Sequence, residues 1–375
     1  MAISRRTLLE RLAAGALGTA AARPLAFAET GGPAAPPLKD FIRLHRNESA
    51  HGPSPKALAA MRDAATHAAR YPDAAAASLR RKLAAFHRVT VDRVVLGCGS
   101  TEVLDMALRA FGGRGKTIVT ARPTFETVAR LAPRAGLRTV GVPLANDHSH
   151  DLDAMRERVD ARTGLIYICN PHNPTGSLTK RQEIDALLDK LPGDVHVIVD
   201  EAYHDFVGHS ADYRTLIDRT NDPRLIVLRT FSKIHGLAGL RVGYGIAAAS
   251  TAMTLRAYAS SNDISMIAAR AAAAALEDPE YVRTSVNRIA DERQEFLNQA
   301  NARMLRSIDS LTNFVMLNTG RSSSEVAAHF GEHRILVAGP VAGYEKYIRV
   351  SLGTSIEMDE FWRVWDRLPG GHMHT

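Results

Sequence analysis

Seven short apolar runs, at 93–96, 117–120, 138–142, 164–168, 195–199, 225–228 and 243–247, are separated by stretches of helical periodicity such as 101–110 and 181–190. Apolar runs of strand length need cover on both faces, and intervening helices supply it. The alternation therefore predicts an α/β chain with a mostly parallel seven-stranded sheet flanked by helices. Beyond residue 251 the pattern changes: an alanine-rich helical region runs to 301, and LTNFVMLN, RILVAG and YIRVSLG then read as one small separate sheet. This predicts a large domain over 54–255 and a small α/β C-terminal domain over 256–375. The segment 29–53 is expected to join the small domain, and a ligand cleft is expected between the two. At 375 residues the chain is long enough for both.

The formal charge of +7 raises the question of a nucleic-acid partner, but the first 28 residues carry +3 of it, leaving +4 for the rest. No basic run interleaved with aromatics occurs, so nucleic acid is not an expected partner. Cys98 and Cys169 each stand alone, with no CxxC pair and no metal-ligand spacing, so no metal is expected; both read as buried small residues near turns. His148 and His150, in NDHSHD, read as part of a solvated loop.

At the front, Ser4-Arg5-Arg6-Thr7-Leu8-Leu9 is a twin-arginine pattern, followed by a weakly apolar stretch from Leu12 to Ala22 and the small-x-small site Ala26-Phe27-Ala28. In that order these parts predict a bacterial twin-arginine signal peptide over 1–28, cleaved after Ala28, and a mature chain that is periplasmic or exported by that pathway. The apolar stretch is too short to serve as a stable membrane anchor.

Four stretches follow strand ends, where open α/β sheets place their ligands. Gly97-Cys98-Gly99-Ser100-Thr101-Glu102 opens a helix, and glycines with outward backbone N–H groups at a helix start make a cup for phosphate, although alone they could be an ordinary capped start. Asn170-Pro171-His172-Asn173-Pro174-Thr175-Gly176 is a rigid turn that presents the Asn173 amide in a fixed direction. Asp200-Glu201-Ala202-Tyr203 puts a carboxylate at the end of an apolar strand, either as a helix cap or as a desolvated partner for a cation. RTFSKIHGLAGLRVGY, residues 229–244, sets Thr230, Ser232, Lys233 and Arg241 after another apolar run, an awkward place for a lysine without a partner. A phosphate cup, a fixed amide, a buried carboxylate and a lysine together match what pyridoxal 5'-phosphate requires.

The ordered set GxGST, PTF, NPxNPTG, DEAY and TFSKxxGLAGLRVGY resembles the fold-type I, class I/II aminotransferase family, and within it the histidinol-phosphate aminotransferase-like branch, from Arg43 to Thr354. The resemblance implies a pyridoxal-phosphate-dependent transferase that moves an amino group from an amino acid or related amine to a 2-oxo acid in a ping-pong cycle. It implies that Lys233 forms the Schiff base, Asp200 pairs with the pyridine nitrogen, and Asn173 and Tyr203 donate to the ring's phenolic oxygen. It further implies that Phe125 stacks on the ring and that Gly99, Ser100, Thr101, Thr230, Ser232 and Arg241 surround the phosphate. Arg349 would bind the substrate α-carboxylate, and Tyr71 would reach the phosphate across a homodimer interface.

Two departures bear on substrate. The branch's N-terminal asparagine-glutamate-asparagine-proline-aromatic-glycine pattern appears here as Asn47-Glu48-Ser49-Ala50-His51-Gly52, with His51 at a substrate-binding position. The arginine that the branch carries after its late strand is replaced in RILVAGP by Ala338 and Gly339. Two rival readings stand beside it: a lyase or decarboxylase, which the same ring-holding set would serve, and a non-catalytic binding protein that keeps the fold, against which the intact Lys233, Asp200, Asn173 and Arg241 argue.

Overall fold

The seven expected apolar runs form strands of one sheet in the computed structural model, which describes residues 41–208, 210–259 and 264–369. The expected leader, 1–28, lies outside the described residues, and no helix among those described is long and apolar enough to cross a membrane. The sheet contains β2 (Val94–Gly97), β3 (Thr117–Arg122), β4 (Arg138–Pro143), β5 (Thr163–Cys169), β6 (His196–Asp200), β7 (Leu225–Thr230) and β8 (Gly243–Ala247). Its strand order is β2-β8-β7-β6-β5-β3-β4, with only the two pairings of β8 antiparallel.

Burial explains why these strands were visible as continuous apolar runs. All of β5 is buried, and its side chains divide by alternation between two cores: Leu165, Tyr167 and Cys169 face one, Ile166 and Ile168 the other. Helices cover both faces. They include α1 (Pro55–Ala65), α2 (Asp73–His87), α3 (Ser100–Phe111), α4 (Glu126–Leu131), α5 (Leu152–Glu157) and α6 (Arg181–Lys190).

Strand direction decides where the chemistry-bearing motifs meet. The carboxyl ends of β2, β3, β5, β6 and β7 lie at one edge of the sheet. Because β8 runs against its neighbours, its beginning lies at that same edge. The register places Gly243 between Gly97 and Thr230, so Arg241, two residues earlier, arrives beside the start of α3. A buried ion pair fastens this edge: Arg229 Nη2 lies 2.7 Å from Glu201 Oε2, and the Leu216 N–H donates to Glu201 Oε1 at 2.7 Å.

The region from 251 onward differs in part from its expected form. The helical stretch is three helices, α7 (Ala249–Arg256), α8 (Met266–Leu276) and α9 (Pro279–Ala302). The three late apolar runs do not make one sheet. β10 (Phe314–Asn318) lies between β12 (Tyr347–Ser351) and β9 (Arg306–Ile308), all antiparallel, whereas β11 (Ile335–Val337) pairs in parallel with β1 (Ile42–Leu44). Only an isolated bridge, Ala338 to Arg349, connects RILVAG to β12. The remaining helices are α10 (Ser323–Glu332) and α11 (Ser355–Trp365).

Two local expectations are corrected. His150 is buried, not solvated, because its Nδ1 and backbone N both bond Thr179 Oγ1, at 2.7 and 3.1 Å. Cys98 is exposed, since the turn between buried Gly97 and Gly99 directs it outward.

Candidate active site

Lys233 lies just beyond β7, in the stretch returning to β8. Its amine donates to the carbonyl of Asn47 at 2.9 Å and to that of Arg46 at 3.3 Å, and stands 5.5 Å from the centre of the Tyr203 ring. Burial pushes the amine down to about 7, with the Arg349 guanidinium adding to the effect and Glu48 and Asp200 opposing it. A lysine with that proton affinity can be a neutral nucleophile or base near neutral pH.

Asp200 ends β6 and is 4% exposed. Burial raises its carboxyl to about 6, although the Tyr167 hydroxyl donates to Oδ2 at 2.9 Å and the Ala202 N–H to Oδ1 at 3.1 Å. Such a carboxylate favours any cation placed against it, because few groups here offset the cost of its charge. Tyr167 was not among the expected site residues. It stands two positions before Cys169, which is in register with Asp200, so strand alternation turns its ring toward the same face.

Tyr203 is buried, and burial raises the proton affinity of its phenol well above the ordinary value, so it remains an O–H group. Asn47 Nδ2 donates to its oxygen at 2.9 Å, and Asn173 Nδ2 reaches the same atom at 3.5 Å. The Asn173 amide is oriented from its other end, where Oδ1 accepts from Arg349 Nη1 at 2.6 Å. Arg349 Nη2 donates to the His45 carbonyl at 3.1 Å, its guanidinium lies 5.4 Å from the Phe314 ring centre, and its buried Nε has no partner. Burial lowers its proton affinity from the usual arginine value. A half-buried fork of donors whose buried Nε is unpaired can hold a planar carboxylate.

The glycine-rich turn forms a cradle. Gly99 has φ +78, a conformation that suits glycine, and a Cβ there would fall 2.5 Å from Arg241 Nη2. A Cβ on Gly243 would fall 2.3 Å from the Ser100 backbone N. These contacts bring Arg241 and the N-terminal N–H groups of α3 together, with Ser100 and Thr101 in its first turn. Thr230 Oγ1 accepts from the Ser232 N–H at 3.1 Å on the adjoining strand end. A cationic fork facing a helix N-terminus suits a phosphate. Phe125 is half-buried at the start of α4, packed against the core.

The structure thus joins Lys233, Tyr203, Asn173 and Arg349 by contacts, sets Asp200 near enough for its charge to act on Lys233 and Tyr203, and assembles Gly99, Ser100 and Arg241 beside them. Two candidates are not tied in. Tyr71, in the turn before α2, is 78% exposed. His51 is half-buried with Nε2 unpartnered. Burial, followed by Arg288, holds it below its ordinary value, with Glu292 and Glu357 opposing, so its charged neighbours lie on α9 and α11. Among the described residues no group of three or more His, Cys, Asp or Glu side chains could hold a metal. The residues present fit pyridoxal phosphate: a cradle for its phosphate, a carboxylate suited to a protonated ring nitrogen, donors for a ring oxygen and an amine for the aldehyde.

Comparison with known proteins agrees. The profile of the family "Aminotransferase class I and II" matches residues 39–364. Histidinol-phosphate aminotransferase of Moorella thermoacetica is 35% identical over 329 residues, covering 87% of this chain and 85% of that protein. Histidinol-phosphate aminotransferase 2 of Carboxydothermus hydrogenoformans is 38% identical over 330 residues, covering 86% and 90%. The crystal structure of histidinol-phosphate aminotransferase from Sinorhizobium meliloti in complex with pyridoxal-5'-phosphate superposes with a TM-score of 0.83 at 28% identity, covering 93% of this chain and 99% of that one. The chain belongs to the class I and II aminotransferases, with its relatives in the histidinol-phosphate aminotransferase branch, and is a pyridoxal-phosphate-dependent aminotransferase.

Proposed function

We propose that the donor is an α-amino acid or related carboxylate-bearing amine and that histidinol phosphate is a poor one. The observation that carries this is the bridge between Ala338 and Arg349, whose backbones bond each other at 2.7 and 3.0 Å. Residues opposed in this way turn their side chains to the same face, so the neighbour of Arg349 is a methyl group, where the branch carries an arginine nearby. One guanidinium is matched to a carboxylate. A phosphate monoester would lose a charge-assisted contact worth roughly 1.5–3 kcal/mol, about ten- to a hundredfold in affinity. The test is a panel of amino donors that includes histidinol phosphate. Several α-amino acids should exceed it in kcat/KM, and histidinol phosphate as the best donor by tenfold or more would contradict the reading.

The residues divide the work as follows. Arg349 would fix the donor's carboxylate and so direct Cα–H, Lys233 would carry the proton away from Cα, and Phe125 would cover the ring. Asp200 would hold the ring nitrogen's proton, while Tyr203 and Asn173 would donate to the ring oxygen. Gly99, Ser100, Thr101, Thr230, Ser232 and Arg241 would hold the phosphate. When bound, pyridoxal phosphate supplies an aldehyde that takes up the amino group and a ring that accepts electrons from Cα.

Two consequences can be measured. Only the uncharged amine attacks an aldehyde, so uptake of pyridoxal phosphate by cofactor-free protein should accelerate with rising pH around a midpoint near 7, the value to which Lys233 is lowered. A midpoint above about 9, nearer the ordinary lysine value, would contradict this. Gly243→Ala drives a methyl into the backbone at Ser100 and should weaken pyridoxal phosphate affinity about tenfold or more, read by equilibrium titration. Unchanged affinity would remove the cradle from the account.

The exposed Tyr71 supports a homodimer in which it reaches the other subunit's phosphate; sedimentation of the holoenzyme as a monomer would contradict that. Residues 1–28 support export through the twin-arginine pathway, and a reporter fused to them that stays in the cytoplasm would contradict it.

A further inference from the structure

Asn47 makes more connections within the site than any role above uses. It is 2% exposed, and its backbone has φ +54, the left-handed region that asparagine, aspartate and glycine tolerate. In that conformation its carbonyl meets the Lys233 amine at 2.9 Å and also accepts from Asn313 Nδ2 at 3.1 Å. Its N–H donates to Ser351 Oγ at 2.8 Å, and Ser351 Oγ lies 3.3 Å from its Oδ1. The side-chain oxygen is thus engaged, which leaves Nδ2 to face Tyr203 at 2.9 Å. The His45 carbonyl, two residues earlier, receives Arg349.

We propose that Asn47 is a positioning residue of the transamination site. Its left-handed carbonyl is the docking point for the Lys233 amine when that amine is free, and its amide, locked by Ser351, aims the Tyr203 hydrogen at the cofactor's ring oxygen. A phenol oxygen that accepts from Asn47 and is approached by Asn173 has its hydrogen left to donate elsewhere. The opposite amide orientation would make Tyr203 the donor to Asn47 and turn that hydrogen away from the ring. The inference is independent of which amine is the donor.

Asn47→Asp separates the two orientations, because a carboxylate can only accept and would draw the Tyr203 hydrogen to itself. Asn47→Gly keeps the backbone conformation and the carbonyl while removing the amide. Both proteins are loaded with pyridoxal phosphate, and their visible absorbance is titrated with pH in the absence of any donor. The midpoint should rise by about half a unit or more in each, since a weaker donor at the ring oxygen raises the proton affinity of the group conjugated to it. In Asn47→Asp, kcat should fall about tenfold or more while KM for the amino acid changes less than about threefold, because Arg349 is untouched. An unmoved midpoint with wild-type kcat in Asn47→Asp overturns the proposal, and so does a loss expressed in KM alone. A poor donor panel leaves the absorbance midpoint unaffected, so the two readings fail separately.

Discussion

Lys233→Ala is expected to lower kcat by about 10⁴-fold or more and to remove the visible band that pyridoxal phosphate gains when joined to the protein. The loss has two physical parts. The amine, lodged against the Tyr203 ring and within electrostatic reach of Asp200, is the group that would join the aldehyde, and a positioned general base by itself contributes up to about 10⁴-fold. Its environment explains why a neighbour would not substitute for it: burial and Arg349 bring its proton affinity to about 7. The variant should still bind the cofactor, because Arg241, Gly99 and α3 are unchanged. Adding methylamine should recover a small part of the rate by supplying an external base. A variant that transaminates at the wild-type rate would contradict the assignment of Lys233.

The second large effect is expected at Asp200. Asp200→Ala should reduce kcat by roughly 10²–10³-fold, the range seen when one preorganised electrostatic partner is removed, and should also weaken cofactor affinity. The carboxylate sits at 4% exposure with its charge only partly offset, which is why burial lifts it to about 6. A protonated ring nitrogen would supply the missing partner, and the favourable pairing would hold that nitrogen's proton during turnover. Asp200→Asn preserves shape and the Tyr167 contact but not the charge, so it should be nearly as slow as alanine. Equal rates for wild type and Asp200→Asn would remove the charge from the argument.

The sheet was legible because buried parallel strands declare themselves as unbroken apolar runs, and β8 was bounded correctly at both ends, Gly243 and Ala247. Each of the other six expected strands runs one or two residues further toward its carboxyl end than the runs suggested. The added residues, such as Gly97, Asp200, Arg229 and Thr230, are those that approach the site and are not uniformly apolar. β1 and β9 were missed, since three residues containing an arginine carry no periodicity, and β1 is recruited only by β11, with Ile42 set against the distant Ile335. RILVAG was assigned to the wrong sheet for the same reason: a short apolar run does not name its partner.

At the site, motifs that stand at strand ends could be read, and contacts between distant segments could not. Asn47 looked like a remnant of a divergent pattern, yet its position is set by Ser351, Tyr203 and Lys233, none near it in sequence. Tyr167 stands inside an unbroken apolar run, and only the register of β5 against β6 turns its hydroxyl to Asp200. His150 illustrates the reverse failure. A polar run around it suggested water, but Thr179 supplies the hydrogen bonds that allow its burial.

The most direct test of transamination by this site is a single half-reaction. The holoenzyme is mixed with one amino acid and no oxo acid, the absorbance of bound cofactor is followed, and the products are identified. The account predicts full conversion of the bound cofactor to its amine form, with one 2-oxo acid released per site and the original spectrum restored when a different 2-oxo acid is added. Release of carbon dioxide or free ammonia in many turnovers, with the cofactor spectrum unchanged at the end, would contradict it.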